Sequence, residues 1–313
     1  MTVAERVRHF LSIADLEKGE LQSLLDHAAV FKAERSTHGR PLRGRSLAQI
    51  FEKPSLRTRL SFDIAMTELG GHSSYLSPAE VGLGRRESVA DVARVVSRLV
   101  HLVVLRTHAH ETAEEFSRHA TVPVVNGLSD LCHPLQGLAD IFTIRERKGP
   151  DLSRVVVAYV GDGNNVAHSL MLCAAKMGTT LRLASPAGYE PQQRYRDLAA
   201  RAAQDSGARI EVGNDPAAAV SDADVVYTDV WTSMGQEQEY ERRRRAFQGF
   251  QVNARLLALA KPDAIVMHDL PAHRGEEITD DVLDGPHSVV FEQSENKMHT
   301  LKAVLCWLLV GGR

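Results

Sequence analysis

Hydrophobic residues along this chain recur with two spacings, one typical of helices and one typical of buried strands. Leu21, Leu24, Leu25 and Ala28 lie three and four residues apart, which predicts an amphipathic helix ending near residue 34. Short apolar runs predict strands at 46–51, 102–106, 122–126, 155–160, 180–184, 209–212, 225–228, 265–268 and 289–291. Further helices are predicted at 55–71, 91–98, 111–119, 134–148, 164–177 and 296–309.

This alternation predicts an α/β protein with two tandem domains, each a parallel sheet flanked by helices. The run Arg-Lys-Gly-Pro-Asp-Leu at 147–152 interrupts the rhythm, which restarts with the strand at 155–160. We therefore predict domains at 1–148 and 149–313, with the last helix, 296–313, closing back on the first domain. Because open parallel sheets bind ligands beyond the carboxyl ends of their strands, the functional residues are expected directly after strands.

The composition is that of an ordinary globular protein, with 313 residues of which 43% are hydrophobic and 25% charged. A formal net charge of −3 gives no reason to expect a nucleic acid or a membrane as a partner. The start of the chain lacks the apolar core of a signal peptide. Because Cys132, Cys173 and Cys306 match no disulfide or zinc pattern and the 14 histidines are scattered, we predict a cytoplasmic protein without a metal ion.

The sharpest motif lies at 51–62, where a predicted strand passes through Pro-Ser into a predicted helix. Ser55 occupies the N-cap position, so the free N–H groups of the first turn and the helix dipole form an anion site. Thr58 adds a hydroxyl group, and Arg57 adds a planar guanidinium that suits phosphate oxygens. The alternative is a plain N-cap with surface arginines. Nucleotide-binding glycine motifs are absent, so a nucleotide is not the favoured anion.

Two further segments follow strands in the same half of the chain. Arg106 ends the strand at 102–106, and residues 133–136 (His-Pro-Leu-Gln) open a helix after the strand at 122–126. Each is weak evidence alone, because a single histidine usually has a structural role. Together, a cation, an imidazole and an amide are the groups that polarise a carbonyl and stabilise an oxyanion beside a phosphate leaving group.

Residues 55–59 (Ser-Leu-Arg-Thr-Arg) resemble the Ser-Thr-Arg-Thr-Arg signature of the aspartate and ornithine carbamoyltransferase family, with Leu56 where threonine is usual. Residues 133–136 are similar to that family's His-Pro-x-Gln motif. The resemblance implies carbamoyl phosphate as the first substrate and no cofactor. It implies carbamoyl phosphate contacts from Ser55, Leu56, Arg57, Thr58, Arg106, His133, Gln136, Asp269, Leu270 and Lys297. It implies catalytic roles for Arg106, His133, Asp229, His268 and Asp269.

The loop after the strand at 225–228 distinguishes between second substrates. Residues 229–235 (Asp-Val-Trp-Thr-Ser-Met-Gly) resemble the Ser-Met-Gly loop of the ornithine branch, which the aspartate branch lacks. A carboxylate suits a cationic diamine, whereas an aspartate substrate would require arginines; taken alone, Asp229 fits a strand-end turn equally well. Residues 161–169 are similar to the family's Gly-Asp-x-x-Asn turn. The resemblance implies L-ornithine contacts from Asn165, Asp229, Ser233 and Met234.

Two positions depart from the family pattern. Asp269 replaces the cysteine of His-Cys-Leu-Pro, and Lys297 replaces the arginine of Glu-Asn-Arg. The resemblance also places Asp229, His268 and Glu276 in a relay. We hypothesise that Asp269 accepts the proton shed by the attacking amine while Lys297 compensates its charge. The alternatives are another amine, such as putrescine or an acylated ornithine, and a catalytically impaired metabolite-binding protein.

The activity implied by the resemblance is transfer of the carbamoyl group to ornithine, which yields L-citrulline and phosphate in arginine biosynthesis. Residues 77–88 resemble the family's mobile loop, which touches a neighbouring subunit. A homotrimer, or a multiple of trimers, is therefore the implied assembly. Aspartate as the acceptor is the remaining competing prediction.

Overall fold

The computed structural model describes residues 7–233 and 235–311, which divide into two compact units. The second unit comprises Gln136–Asn296, and the first comprises the residues before Gln136 together with those from Lys297 onward. The division after Leu135 lies inside a helix, whereas the sequence break at 147–152 follows the end of that helix.

The first unit is built on a parallel sheet. Its elements are α1 (Lys18–Ala33), β1 (Ser46–Phe51), α2 (Leu56–Glu68), β2 (His72–Leu76), α3 (Pro78–Val81), α4 (Val89–Val96), β3 (Leu102–Arg106), α5 (His110–His119), β4 (Val124–Leu128) and the start of α6 (Pro134–Lys148), with a 3₁₀ turn at Ile13–Asp15. The strand order is β2-β1-β3-β4, and the paired strands are parallel. Ile50, Val103, Leu105 and Phe116 are buried in a hydrophobic core that joins the sheet to α5.

The second unit is also built on a parallel sheet, which has five strands instead of four. Its elements are β5 (Val156–Val160), α7 (Asn165–Met177), β6 (Thr180–Ala184), α8 (Gln193–Ser206), β7 (Arg209–Gly213), α9 (Pro216–Val220), β8 (Val225–Thr228), α10 (Tyr240–Ala246), α11 (Ala254–Leu257), β9 (Ile265–His268), α12 (Asp280–Leu283) and α13 (Val290–Val310), with 3₁₀ turns at Leu152–Arg154 and Glu237–Glu239. The parallel strand order is β7-β6-β5-β8-β9. The prediction of an α/β protein with two parallel sheets is confirmed.

The later part of α13 packs within the first unit. The fully buried Lys302 donates to His38 Nε2 at 3.0 Å and forms an ion pair with Glu68. Near the end of the helix, the ring of Trp307 lies edge-on to that of Phe10, with 6.2 Å between their centroids. These contacts agree with the prediction that the C-terminal helix closes back on the first domain.

Local sequence signals explain why α7 starts and stops where it does. Asn164 caps it by accepting from the N–H groups of Val166 and Ala167 at 2.9 and 3.1 Å. Gly178 ends it in the left-handed conformation, with φ 80°. In the preceding turn, a Cβ on Gly163 would lie 2.1 Å from the nitrogen of Pro191, so only glycine fits this close approach.

The structure corrects one predicted strand and adds an edge strand that was not predicted. The strand predicted at 289–291 is wrong, because α13 already begins at Val290. Val290 is 1% exposed and Phe291 is 67% exposed, because the two residues lie on different faces of α13. The edge strand β2 was not predicted, since its residues are half-exposed and include the polar run His-Ser-Ser.

Within residues 7–233 and 235–311, no helix combines the length and the apolar content that crossing a membrane requires. Cys132, Cys173 and Cys306 are buried, and none of the three forms a disulfide.

Candidate active site

The turn between β1 and α2 has the geometry of an anion site. Ser55 is the N-cap of α2, with φ −156° and ψ 117°, and its hydroxyl accepts from the Thr58 N–H at 3.3 Å. Thr58 is 2% exposed, whereas the side chain of Leu56 is 77% exposed. Leu56 can therefore offer an anion its backbone N–H but no polar side-chain group.

Strand register places Arg106 and the turn before His133 at the same edge of the sheet. Phe51, Arg106 and Leu128 are neighbours across β1, β3 and β4, and the Glu52 N–H donates to the Arg106 carbonyl at 2.7 Å. Arg106 is 5% exposed. Because these strands are parallel and adjacent, the edge that leads to Ser55 also carries a buried guanidinium.

A compact turn leads from β4 to His133. The Ser129 hydroxyl accepts from the Cys132 N–H at 3.2 Å, and the Ser129 N–H donates to the Cys132 carbonyl at 2.9 Å. His133 is 1% exposed directly before α6, and Lys297, on the part of α13 that belongs to the first unit, is 2% exposed. The first unit thus supplies buried cationic and imidazole groups, which suit the binding of an anion such as a phosphate group.

In the second unit, strands β8 and β9 end side by side. Thr228 pairs with His268 across them, so Asp229 and Asp269 follow two residues that are neighbours in the sheet. Asp229 is 6% exposed, and its Oδ2 accepts from Asn164 Nδ2 at 2.8 Å. This register explains why two carboxylates that lie far apart in sequence act on each other.

The pKa of Asp229 reflects this crowded position. Burial raises the pKa of Asp229 to about 6; a protonated His268 would counteract this shift, and the negative charge of Asp269 adds to it. Asp229 therefore loses its negative charge at a higher pH than an exposed aspartate does.

His268 is held by bonds to both ring nitrogens. Its Nδ1 accepts from the Leu270 N–H at 2.8 Å, so in this arrangement Nε2 carries the proton and donates to Glu277 Oε1 at 3.0 Å. Both side chains of this pair are fully buried. The prediction that Glu276 serves the relay is wrong: Glu276 instead accepts from the Tyr240 hydroxyl, because the backbone turn directs its neighbour Glu277 towards His268.

The loop after β9 is strained at Leu270. Its φ of 60° lies in the left-handed region, which a leucine rarely adopts, and the peptide bond to Pro271 is cis. The bond from the Leu270 N–H to His268 holds this conformation. Such strain is maintained where the surrounding structure determines the backbone, as at many ligand-binding loops.

Hydrogen bonds from Arg243 hold the start of the loop after β8 in place. The Arg243 guanidinium donates to Asp162 Oδ2 at 2.9 Å and to the Trp231 carbonyl at 3.0 Å. Burial raises the pKa of Asp162 to about 6, and the charge of Arg243 opposes this rise. Ser233 follows, half-buried, and exchanges hydrogen bonds with Gln236. Met234 lies outside the described residues.

Sequence models of two domains match this chain. A carbamoyl-P binding domain of aspartate/ornithine carbamoyltransferase matches residues 8–146, and the Asp/Orn binding domain matches residues 153–308. The chain belongs to the aspartate/ornithine carbamoyltransferase family.

Individual members of this family match over nearly their whole length. The ornithine carbamoyltransferase of Acidothermus cellulolyticus is 55% identical, over 98% of this chain and 99% of that protein. The solved ornithine carbamoyltransferase of Pyrococcus furiosus has a TM-score of 0.94 and 49% identity, over 99% of each chain. The anabolic ornithine carbamoyltransferase of Campylobacter jejuni has a TM-score of 0.92 and 41% identity, over 96% of this chain and 99% of that chain.

The structure places two residues that the sequence analysis did not single out against predicted site residues. Asn164 contacts Asp229, whereas the predicted ligand Asn165 is the first residue of α7 and is half-buried. Gln136 donates from Nε2 to the fully buried Asp140 at 2.7 Å. Asp140 could have been found from its position four residues after Gln136 on one helix, which is the spacing of side chains that meet.

A group of possible metal ligands adjoins the relay histidine. His273, Glu276 and Glu277 each place one donor atom within 4.8 Å of the others. Glu277 Oε1 already accepts from His268 and from the His273 N–H, and Glu276 accepts from Tyr240. In this structure the three residues therefore form the hydrogen bonds that hold the loop after β9.

Proposed function

We propose that this carbamoyltransferase moves the carbamoyl group of carbamoyl phosphate to the δ-amine of L-ornithine, forming L-citrulline and phosphate in arginine biosynthesis. The observation that carries this proposal is the buried carboxyl group of Asp229, which accepts from Asn164 Nδ2 beside the end of β9. A buried carboxylate is a partner for a cationic amino group and repels an aspartate. The ornithine carbamoyltransferases described above support the same acceptor.

The residues of the first unit are proposed to bind the phosphate and polarise the carbonyl. Ser55, Arg57 and Thr58, with the Leu56 N–H, would hold the phosphate at the start of α2. Arg106, His133 and Thr58 would face the carbamoyl oxygen and stabilise the oxyanion that forms on attack. Lys297 would add a cation for carbamoyl phosphate, and its compensation of Asp269 stays a prediction.

The second unit is proposed to bind and activate the acceptor. Asp229, Asn165, Ser233 and Met234 would hold ornithine, and Gln136, with the loop that contains Leu270, would contact the carbamoyl group. His268 would orient the acceptor through its bond to Glu277. Asp269 would take the proton that the amine loses as the C–N bond forms; the C–O bond to phosphate then breaks, and phosphate leaves with the electron pair.

We further propose that the protein is a cytoplasmic homotrimer or a multiple of trimers. Leu60, Val95 and Leu99 in the first unit expose 54%, 54% and 72% of their surface, and a neighbouring subunit that covered them would bury apolar area. Sedimentation equilibrium tests the assembly, since a monomer at micromolar concentration would contradict it.

One observation favours a second candidate acceptor. Asp269 lies next to Asp229 at the ends of two neighbouring strands, so this part of the site carries two carboxylates. That charge suits a diamine without a carboxylate, such as putrescine, better than an amino acid. An acylated ornithine lacks the α-ammonium charge, so the second carboxylate would not strengthen its binding through that group.

The test is carbamoylated-product formation from carbamoyl phosphate with ornithine, putrescine, N-acetylornithine or aspartate. Ornithine should give the highest kcat/KM. A higher value with putrescine would reassign the acceptor. Tight carbamoyl phosphate binding with no product from any amine would instead identify a catalytically silent protein.

Replacing Asp269 by cysteine should change both the rate and the pH profile. Loss of the proton acceptor should lower kcat about 10- to 100-fold. Because the charge of Asp269 raises the pKa of Asp229, its removal should lower that pKa from about 6. Activity that requires ionised Asp229 should then persist to lower pH. The acid limb of the plot of kcat/KM against pH should therefore shift to lower pH. Citrulline formation measured from pH 5 to 9 checks both effects.

Asp205→Cys is the matched control for this substitution, because Asp205 is exposed on α8. It should leave kcat and the acid limb unchanged. A large rise in citrulline formation by Asp269→Cys would refute the role of Asp269 as proton acceptor.

A further inference from the structure

A buried hydrogen-bond network surrounds Asp140 in the second unit. Asp140 is 0% exposed, and its Oδ1 accepts from Gln136 Nε2 and from Gln293 Nε2, both at 2.7 Å. Its Oδ2 accepts from the Tyr227 hydroxyl at 3.0 Å. The donors come from α6, α13 and β8, so this carboxylate fixes side chains from elements that are distant in sequence.

The same network reaches the loop of the relay histidine. Gln293 donates to Asp140 through Nε2, and its Oε1 accepts from the His268 N–H at 2.9 Å. Both ends of this buried amide are therefore used, and its orientation is determined. Through Gln293, the position of Asp140 is coupled to the end of β9.

This arrangement also determines the orientation of the Gln136 amide. Oδ1 of Asp140 is an acceptor for Gln136 whether or not the carboxyl group is protonated, because Oδ2 is the oxygen that faces the tyrosine hydroxyl. Gln136 must then present Nε2 to Asp140, so its amide oxygen Oε1 remains available to accept a hydrogen bond from another group. This buried oxygen has no hydrogen-bond partner among the described residues, a situation that favours an N–H donor supplied by a ligand.

We propose that Asp140, supported by Gln293 and Tyr227, is a positioning residue that orients Gln136 so that its Oε1 accepts from the carbamoyl –NH₂. The inference rests on the proposed function, because it takes carbamoyl phosphate as the ligand of Gln136. It also assigns a specificity: the site selects a carbamoyl group over an acyl group of the same shape that has no N–H. A site built to bond a donor rejects the analogue that lacks it.

Acetyl phosphate is the suitable probe, since a methyl group replaces the –NH₂ and the phosphate is unchanged. The wild-type protein should bind carbamoyl phosphate more tightly than acetyl phosphate in calorimetric titrations. Asp140→Leu removes the acceptor that fixes the Gln136 amide, so that an N–H can turn towards the carbamoyl –NH₂. The Kd of carbamoyl phosphate should rise about 10- to 100-fold, while that of acetyl phosphate should change less than about threefold.

Tyr227→Phe provides a second, nearly isosteric variant if Asp140→Leu does not fold. It removes one donor to Asp140 and should reduce the preference for carbamoyl phosphate about 3- to 10-fold. Asp224→Asn is the matched control, because Asp224 is a buried carboxylate that accepts from the Val156 N–H and from Lys261. Its ratio of the two Kd values should equal that of the wild type.

An unchanged Kd ratio in folded Asp140→Leu or Tyr227→Phe would overturn the proposal. An equal loss of affinity for both phosphates would do the same, because that is the result expected of a purely structural residue. The titrations do not depend on turnover. If the wild type forms no citrulline, the acceptor assignment fails, whereas the positioning role is still decided by the Kd ratio.

Discussion

Replacing Arg106 by methionine is expected to lower kcat/KM for citrulline formation by about 10³-fold. Arg106 ends β3 with 5% exposure, beside the turn that leads to Ser55. At this place one guanidinium can bond both the phosphate and the carbamoyl oxygen, whose charge increases as the amine attacks. In a buried site, loss of such a donor destabilises the transition state more than the bound substrate, so kcat should fall as well as affinity.

Steady-state kinetics with both substrates varied would measure this effect, and thermal unfolding would verify that the variant is folded. Arg118→Met serves as the control, because Arg118 lies on α5 of the same unit with 65% of its side chain exposed. It should leave kcat/KM within about twofold of the wild type. A loss of less than tenfold in Arg106→Met would show that Arg106 has no direct part in the reaction.

Replacing Asp229 by asparagine is expected to lower kcat/KM for ornithine by about 10²- to 10³-fold without weakening carbamoyl phosphate binding. Asparagine keeps the size of the side chain and an oxygen that can accept from Asn164. It removes the charge that a cationic acceptor requires in a buried position. The loss should therefore appear mainly as a raised KM for ornithine.

Two measurements separate this prediction from general damage to the protein. Citrulline kinetics with varied ornithine give the KM, and titration with carbamoyl phosphate gives the affinity for the first substrate. Asp224→Asn, which removes a buried carboxylate elsewhere in the second unit, should change neither value. If Asp229→Asn leaves the KM for ornithine unchanged, Asp229 does not bind the acceptor.

The sequence was informative wherever a few neighbouring residues determine the structure. The N-cap at Ser55 was predictable because a hydroxyl before a helix satisfies an N–H group only three residues away. Most strands were predictable from their apolar runs, because parallel strands are buried on both faces. The half-exposed β2 has no such run, and only its pairing with β1 makes it a strand.

The relay around His268 could not be predicted with the same accuracy. Family motifs place a glutamate in the relay, and Glu276 and Glu277 are adjacent in sequence. Which of them meets His268 depends on the backbone of the loop from Leu270 onward, including its left-handed residue. Only the folded loop selects Glu277.

By itself, the sequence determined the α/β class, the turn at Ser55 and the types of residue that could bind a phosphate and an amine. These properties follow from hydrogen bonds and apolar periodicity over a few residues. The tertiary structure alone decided that Asp229 and Asp269 are neighbours and that Asp140 orients Gln136 and Gln293. Those contacts depend on strand order and on packing between elements far apart in the chain, which no local pattern specifies.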